Sequence, residues 1–162
     1  MKRKLTKAFC MAGGLAVLIT MGTLKTSMAQ RIGGGRLEGT WETQVSIIDC
    51  QGGNVLATFA NMPVFVAGGT MIESTSGTAP ALRTSGEGVW RHITGNNYVF
   101  RFKSFTFNAQ NVFTGWMIIQ ADASLDSTGD AYTSSATIEV YNPNGVLVGT
   151  GCAKTAGTRF EL

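Results

Sequence analysis

From Leu37 to the end of this 162-residue chain, apolar side chains recur at every second position, and no long stretch follows the three-to-four spacing of a helix. In "WETQVSII", Trp41, Thr43, Val45 and Ile47 alternate with Glu42, Gln44, Ser46 and Ile48. "WMIIQADASLD" sets Met117, Ile119, Ala121, Ala123 and Leu125 against Gln120, Asp122 and Ser124. "AYTSSATIEVY" sets Tyr132, Ala136, Ile138 and Val140 against Thr133, Ser135, Thr137 and Glu139. A period of two means strands with one dry face and one wet face.

Turn residues separate the runs: Gln51-Gly52-Gly53, Gly68-Gly69, Gly95-Asn96-Asn97, Asn108 to Asn111, Ser127 to Asp130, and Asn142-Pro143-Asn144-Gly145. Strands are expected near 38–48, 54–66, 69–75, 87–94, 97–107, 112–124, 130–141 and 145–160, with Pro63 at a bend or an edge. Ser74 to Gly88 reads as the one long loop. Eight antiparallel strands joined by hairpins predict an all-β, single up-and-down eight-stranded β-barrel, which closes on itself and leaves no edge. A two-sheet sandwich is the alternative. "YVFRFKSFTFN" carries Phe100 and Phe102 on one face and Phe105 and Phe107 on the other, a shift that predicts a bulge or bend near Ser104.

The first residues belong to something else. Lys2, Arg3, Lys4 and Lys7 precede an apolar run from about Ala8 to Leu24, and Ser27-Met28-Ala29 supplies the small residues of a cleavage site. That is the three-part pattern of a secretory signal over residues 1–29. Residues 30–36 form a flexible leader and residues 37–162 the domain; an uncleaved membrane anchor is the competing reading. Cleavage after Ala29 implies an exported protein, periplasmic or extracellular, with no stable membrane span. It also reverses the charge. The full chain carries 13 Lys and Arg against 10 Asp and Glu, but five of the cations and none of the acids lie before residue 30, which leaves 8 against 10. No basic stripe remains to neutralise phosphates, and nucleic acid is not an expected partner.

Two cysteines, Cys50 and Cys152, follow the signal, and in an exported chain they favour a disulfide over a metal site. In a closed barrel the first strand pairs with the last. With the two cysteines bonded directly opposite each other, Trp41 faces Glu161, Thr43 faces Arg159, and Arg159 becomes the diagonal neighbour of Trp41. Gly39-Thr40-Trp41 on the first strand, met by Arg159 at the end of the last, resembles the closing signature of the lipocalins and their calycin relatives. The wider layout, with "DCQGG", "GGTMIEST", "GVWRHITGNNY" and "GCAKTAGTRF", is similar to a group of exported bacterial calycin-like domains. The resemblance implies a barrel whose Trp41–Arg159 pair plugs one end.

Catalytic motifs are sparse. His92 is the only histidine, so a histidine metal cluster is impossible and no metal or cofactor is expected. No Gly-x-Ser-x-Gly elbow or phosphate loop occurs. Glu73 and Glu87 flank the long loop; pointing into the barrel mouth they would form a general acid/base pair, with Arg101 stabilising an anion. Such a cofactor-free isomerase or cyclase is what certain calycin-like barrels suggest. The aromatic residues point elsewhere. Trp90, Tyr98, Phe100 and Phe102 are candidate wall residues for a small apolar ligand, while Phe105 and Phe107 on the second face suggest a protein-interaction or homo-oligomer surface. Plain core filling also accounts for these rings.

Overall fold

The computed structural model describes residues 36–162, so the signal and almost all of the leader lie outside the described residues. Eight strands follow in order: β1 (Gly39–Ile48), β2 (Val55–Val66), β3 (Thr70–Thr75), β4 (Gly86–Thr94), β5 (Asn97–Phe107), β6 (Phe113–Leu125), β7 (Ala131–Tyr141) and β8 (Leu147–Arg159). Each pairs antiparallel with the next, and β8 returns to β1 to close the barrel. The up-and-down barrel is therefore the architecture, and the sandwich is not. Closure leaves no strand edge unpaired.

The alternation decides which side chains fill the barrel. Trp41 and Thr43 of β1, Phe65 of β2, Met71 and Glu73 of β3, Phe100 and Phe102 of β5, and Tyr132 and Ser134 of β7 are buried; their sequence neighbours are for the most part exposed or half-buried. Pro63 sits within β2, where it has no N–H to donate. The β1–β2 ladder runs through Thr40 opposite Val64 and resumes at Thr43 opposite Asn61, so the interruption falls at the proline.

Two expectations are corrected. There is no bulge at Ser104: β5 stays in register with β6 from Phe102 opposite Ile119 through Phe105 opposite Trp116, and the shift falls later, between Thr106 and Phe107. The phenylalanines split between the two faces because Ser104 itself takes an inward place, fully buried. The register of β1 on β8 also differs by two residues. Cys152 faces Ile48 and Trp41 faces Arg159 directly. The Cys50–Cys152 disulfide is present, with Cα atoms 5.3 Å apart, but Cys50 lies past the end of β1 in a turn held by Asp49, so the bond crosses the ladder diagonally. An offset of two preserves every side chain's face.

One end of the barrel is closed. Trp41 is fully buried, its indole N–H donates to the Leu37 carbonyl at 2.9 Å, and the Arg159 guanidinium lies 4.5 Å from its ring centre. Arg159 also donates to the carbonyls of Gly129, Glu38 and Arg36, tying the incoming chain to the β6–β7 turn. Gly39 has φ of +122°, and a Cβ there would lie 3.0 Å from an Arg159 nitrogen. Glycine at this place is thus required by both backbone and arginine.

Candidate ligand site in the barrel

The interior divides along its length. Towards the closed end it is filled by rings: Trp41 against Tyr132 at 4.9 Å, Phe65 against Trp90 at 5.8 Å and Phe65 against Phe100 at 5.3 Å between centroids. Above them lies a cavity of about 260 Å³. Its origin is legible in the strand register. Ala121, Ala136 and Ala153 stand side by side across β6, β7 and β8, and Ala123, Ser134 and Thr155 form the next row. Phe100 stands beside Ala121 and Phe102 beside Ile119 on β5, Phe59 of β2 is also on the wall, and the volume that the small side chains do not occupy is the cavity.

A polar cluster interrupts the apolar wall. The β3–β4 ladder has four registered pairs, against six to eleven in the other ladders, so the wall is weakest there. The loop 76–85 covers that seam, anchored by Ser76 on Ala60 of β2 and by Thr84 on Phe105 of β5. From this loop Arg83 reaches inward and pairs with Glu73 Oε1; the two side chains are 5% and 2% exposed. In the amide orientation that satisfies its neighbours, Asn61 Nδ2 donates to Glu73 Oε2 at 2.8 Å and to the Ser74 carbonyl. Gly86 leaves room for the carboxylate arm, since a Cβ there would come within 2.8 Å of Glu73 Cγ. Arg83 and Ser134 line the cavity, and Arg83 Nε and Ser134 Oγ are buried without a protein partner. Burial also pushes the Tyr132 phenol, on the same wall, well above its ordinary range, so it stays protonated.

The sequence-predicted residues separate cleanly. Phe100 and Phe102 line the cavity. Trp90 and Tyr98 do not; Trp90 lies below it, its indole N–H donating to the Val66 carbonyl at 3.0 Å, and Tyr98 packs against Trp90. Glu73 faces inward, but Glu87 and Arg101 are exposed on the outer surface. The reason is register: Glu87 pairs with Ile72, not with Glu73, so the two acids point to opposite faces of the sheet. The three are not brought together. His92 is exposed, with Nε2 2.8 Å from the Gly95 carbonyl.

Phe59, Asn61, Arg83 and Ser134 were not singled out by sequence reasoning. Alternation along β2 would have found the first two. Arg83 had a signal as well: it is the only charged residue between Glu73 and Glu87. On the outer face, Phe105, Phe107, Phe113, Trp116 and Tyr141 form a chain of ring contacts, with Lys103 Nζ 4.2 Å from the Trp116 ring centre.

No protein-family model matches the sequence, and no curated protein is similar to it. Among the described residues there is no cluster of metal-ligating side chains, and no helix is long and apolar enough to cross a membrane.

Proposed function

We propose that the protein is an exported barrel of calycin type that binds a small apolar molecule in its open half. The observation that carries this reading is the cavity of about 260 Å³ behind an apolar wall, left by two rows of small side chains. An engineered apolar cavity of about 150 Å³ holds benzene, so this volume suits a molecule of roughly ten non-hydrogen atoms. Burial of that apolar surface supplies the affinity. The reading is favoured over an isomerase or cyclase by the placement of the acids: Glu73 is occupied by Arg83 and Asn61, and Glu87 and Arg101 face solvent. Export is supported by the signal pattern and is compatible with the disulfide.

Native mass spectrometry of protein purified from the exported fraction tests it. A mass excess that disappears on denaturation supports a captured ligand. A bare chain that also fails to take up an added apolar reporter contradicts the reading.

A second reading is favoured by the outer aromatic chain, in which Phe105 and Phe113 are 45% and 38% exposed. We infer that this face pairs with a second copy of the chain. Sedimentation of Phe105→Ser against the parent tests it: a dimer lost on substitution supports the pairing, and a parent that is monomeric at all concentrations removes it.

A further inference from the structure

We propose that the barrel selects an uncharged ligand, apolar along most of its length and carrying one hydrogen-bond-accepting oxygen that Arg83 receives. This rests on the reading of the barrel as a ligand site. Among the described residues, Glu73 and Arg83 are the only charged side chains on the cavity wall, and they neutralise each other. Both carboxylate oxygens of Glu73 are engaged, Oε1 by Arg83 and Oε2 by Asn61. What remains is Arg83 Nε, a buried donor with no protein partner on a side chain that lines the cavity, which a small shift of the guanidinium presents to a ligand. A buried donor left unpaired is unfavourable, and an acceptor oxygen on the ligand relieves it.

The neutralised pair also sets the ligand's charge. A carboxylate entering the cavity would bring a negative charge to a place whose one cation is already matched, and an ammonium would meet a carboxylate whose charge Arg83 already neutralises. Either charge would lose its hydration without compensation. A ketone, ester or alcohol loses little and gains the Arg83 contact. Ser134 Oγ, also unpartnered, gives a second polar point on β7 across the barrel from the seam. Ser104 Oγ lacks a partner too, but it is not on the cavity wall.

The test uses ligands matched at about ten non-hydrogen atoms: nonan-2-one, nonan-1-ol, octanoate, nonylamine and decane. Each displaces the fluorescent reporter N-phenyl-1-naphthylamine from the purified, oxidised protein. The ketone and alcohol are expected to bind at least about tenfold more tightly than octanoate and nonylamine, and more tightly than decane. In Glu73→Gln the arginine becomes an unmatched cation, and octanoate is expected to gain about tenfold relative to nonan-2-one. A thermal melt checks that this variant folds, and the ranking in the parent protein decides the matter if it does not. Octanoate binding as tightly as the ketone in the parent, or all five ligands binding alike, overturns the proposal while leaving a barrel that binds apolar molecules. A reporter that never binds removes the ligand site itself.

Discussion

At the end of the barrel where β1 begins the chain is tied down: Trp41 fills the interior, Arg159 covers it, and the β6–β7 turn is bound to Arg159. At the other end the interior is hollow and the hairpins are bare. Val55 and Leu56 in the first hairpin, Val112 and Phe113 in the third, and Val146, Leu147 and Val148 in the fourth are all exposed. These hairpins lie in runs without a single Asp, Glu, Lys or Arg, over residues 50–72, 104–121 and 140–153. The same alternating strands build both ends. What differs is how the inward positions are filled: large rings meet across the barrel below, and a row of alanines on three strands leaves space above. Stability belongs to the closed end and space to the open one.

Substitutions at the two ends should therefore differ in kind. The largest loss is expected from Trp41→Ala, about 3–5 kcal/mol in urea unfolding, because a fully buried indole leaves a cavity at the plug. Phe105→Ser on the outer face near the open end should stay within about 0.5 kcal/mol. A similar loss at both sites would break the contrast.

Replacing Cys50 and Cys152 together by serine removes a cross-link between residues 102 apart in sequence. The expected cost is about 2–4 kcal/mol. Hydrogen exchange should locate the loosening in the β1–β2 and β7–β8 hairpins, with β1 near Trp41 still protected. Uniform loosening would mean that the two ends are not independent. Smaller again is Arg159→Met, expected to cost about 1–2 kcal/mol from the stacked guanidinium and its backbone contacts.

The least effect concerns pH. Asp126 in the β6–β7 turn is held below the ordinary carboxylate range, first by the Thr128 hydroxyl and also by backbone N–H groups of Gly129, Ala131 and Asp130. A lowered pKa in the folded chain stabilises the turn above about pH 4, and that contribution is lost as the pH falls through the folded-state value. Asp126→Asn should flatten the acid limb of a melting-temperature profile slightly, and an unchanged limb would remove Asp126 from the account.

The fold was readable because a period of two leaves little choice of partner once turns are marked. The plug was readable as well, although its register was not. Cys50 invited pairing opposite Cys152, and the Asp49 turn that ends β1 early moved the bond onto a diagonal. The cavity was harder to see. Alternation tells inside from outside, but whether the inside is full depends on which small residues align across strands. Ala121, Ala136 and Ala153 lie on three strands and meet only through register. Glu73 and Glu87 show the same limit: their positions in the chain suggested a pair, and the β3–β4 register placed them on opposite faces.

Filling that row of alanines decides whether the barrel interior is where an apolar molecule binds. Ala136→Phe should project a ring into the hollow from the middle of the row, with a melting temperature close to that of the parent because space is available. Titration with N-phenyl-1-naphthylamine should then show saturable binding of one reporter per chain in the parent and none in the variant. Equal binding by both proteins would place the reporter outside the barrel and contradict the account.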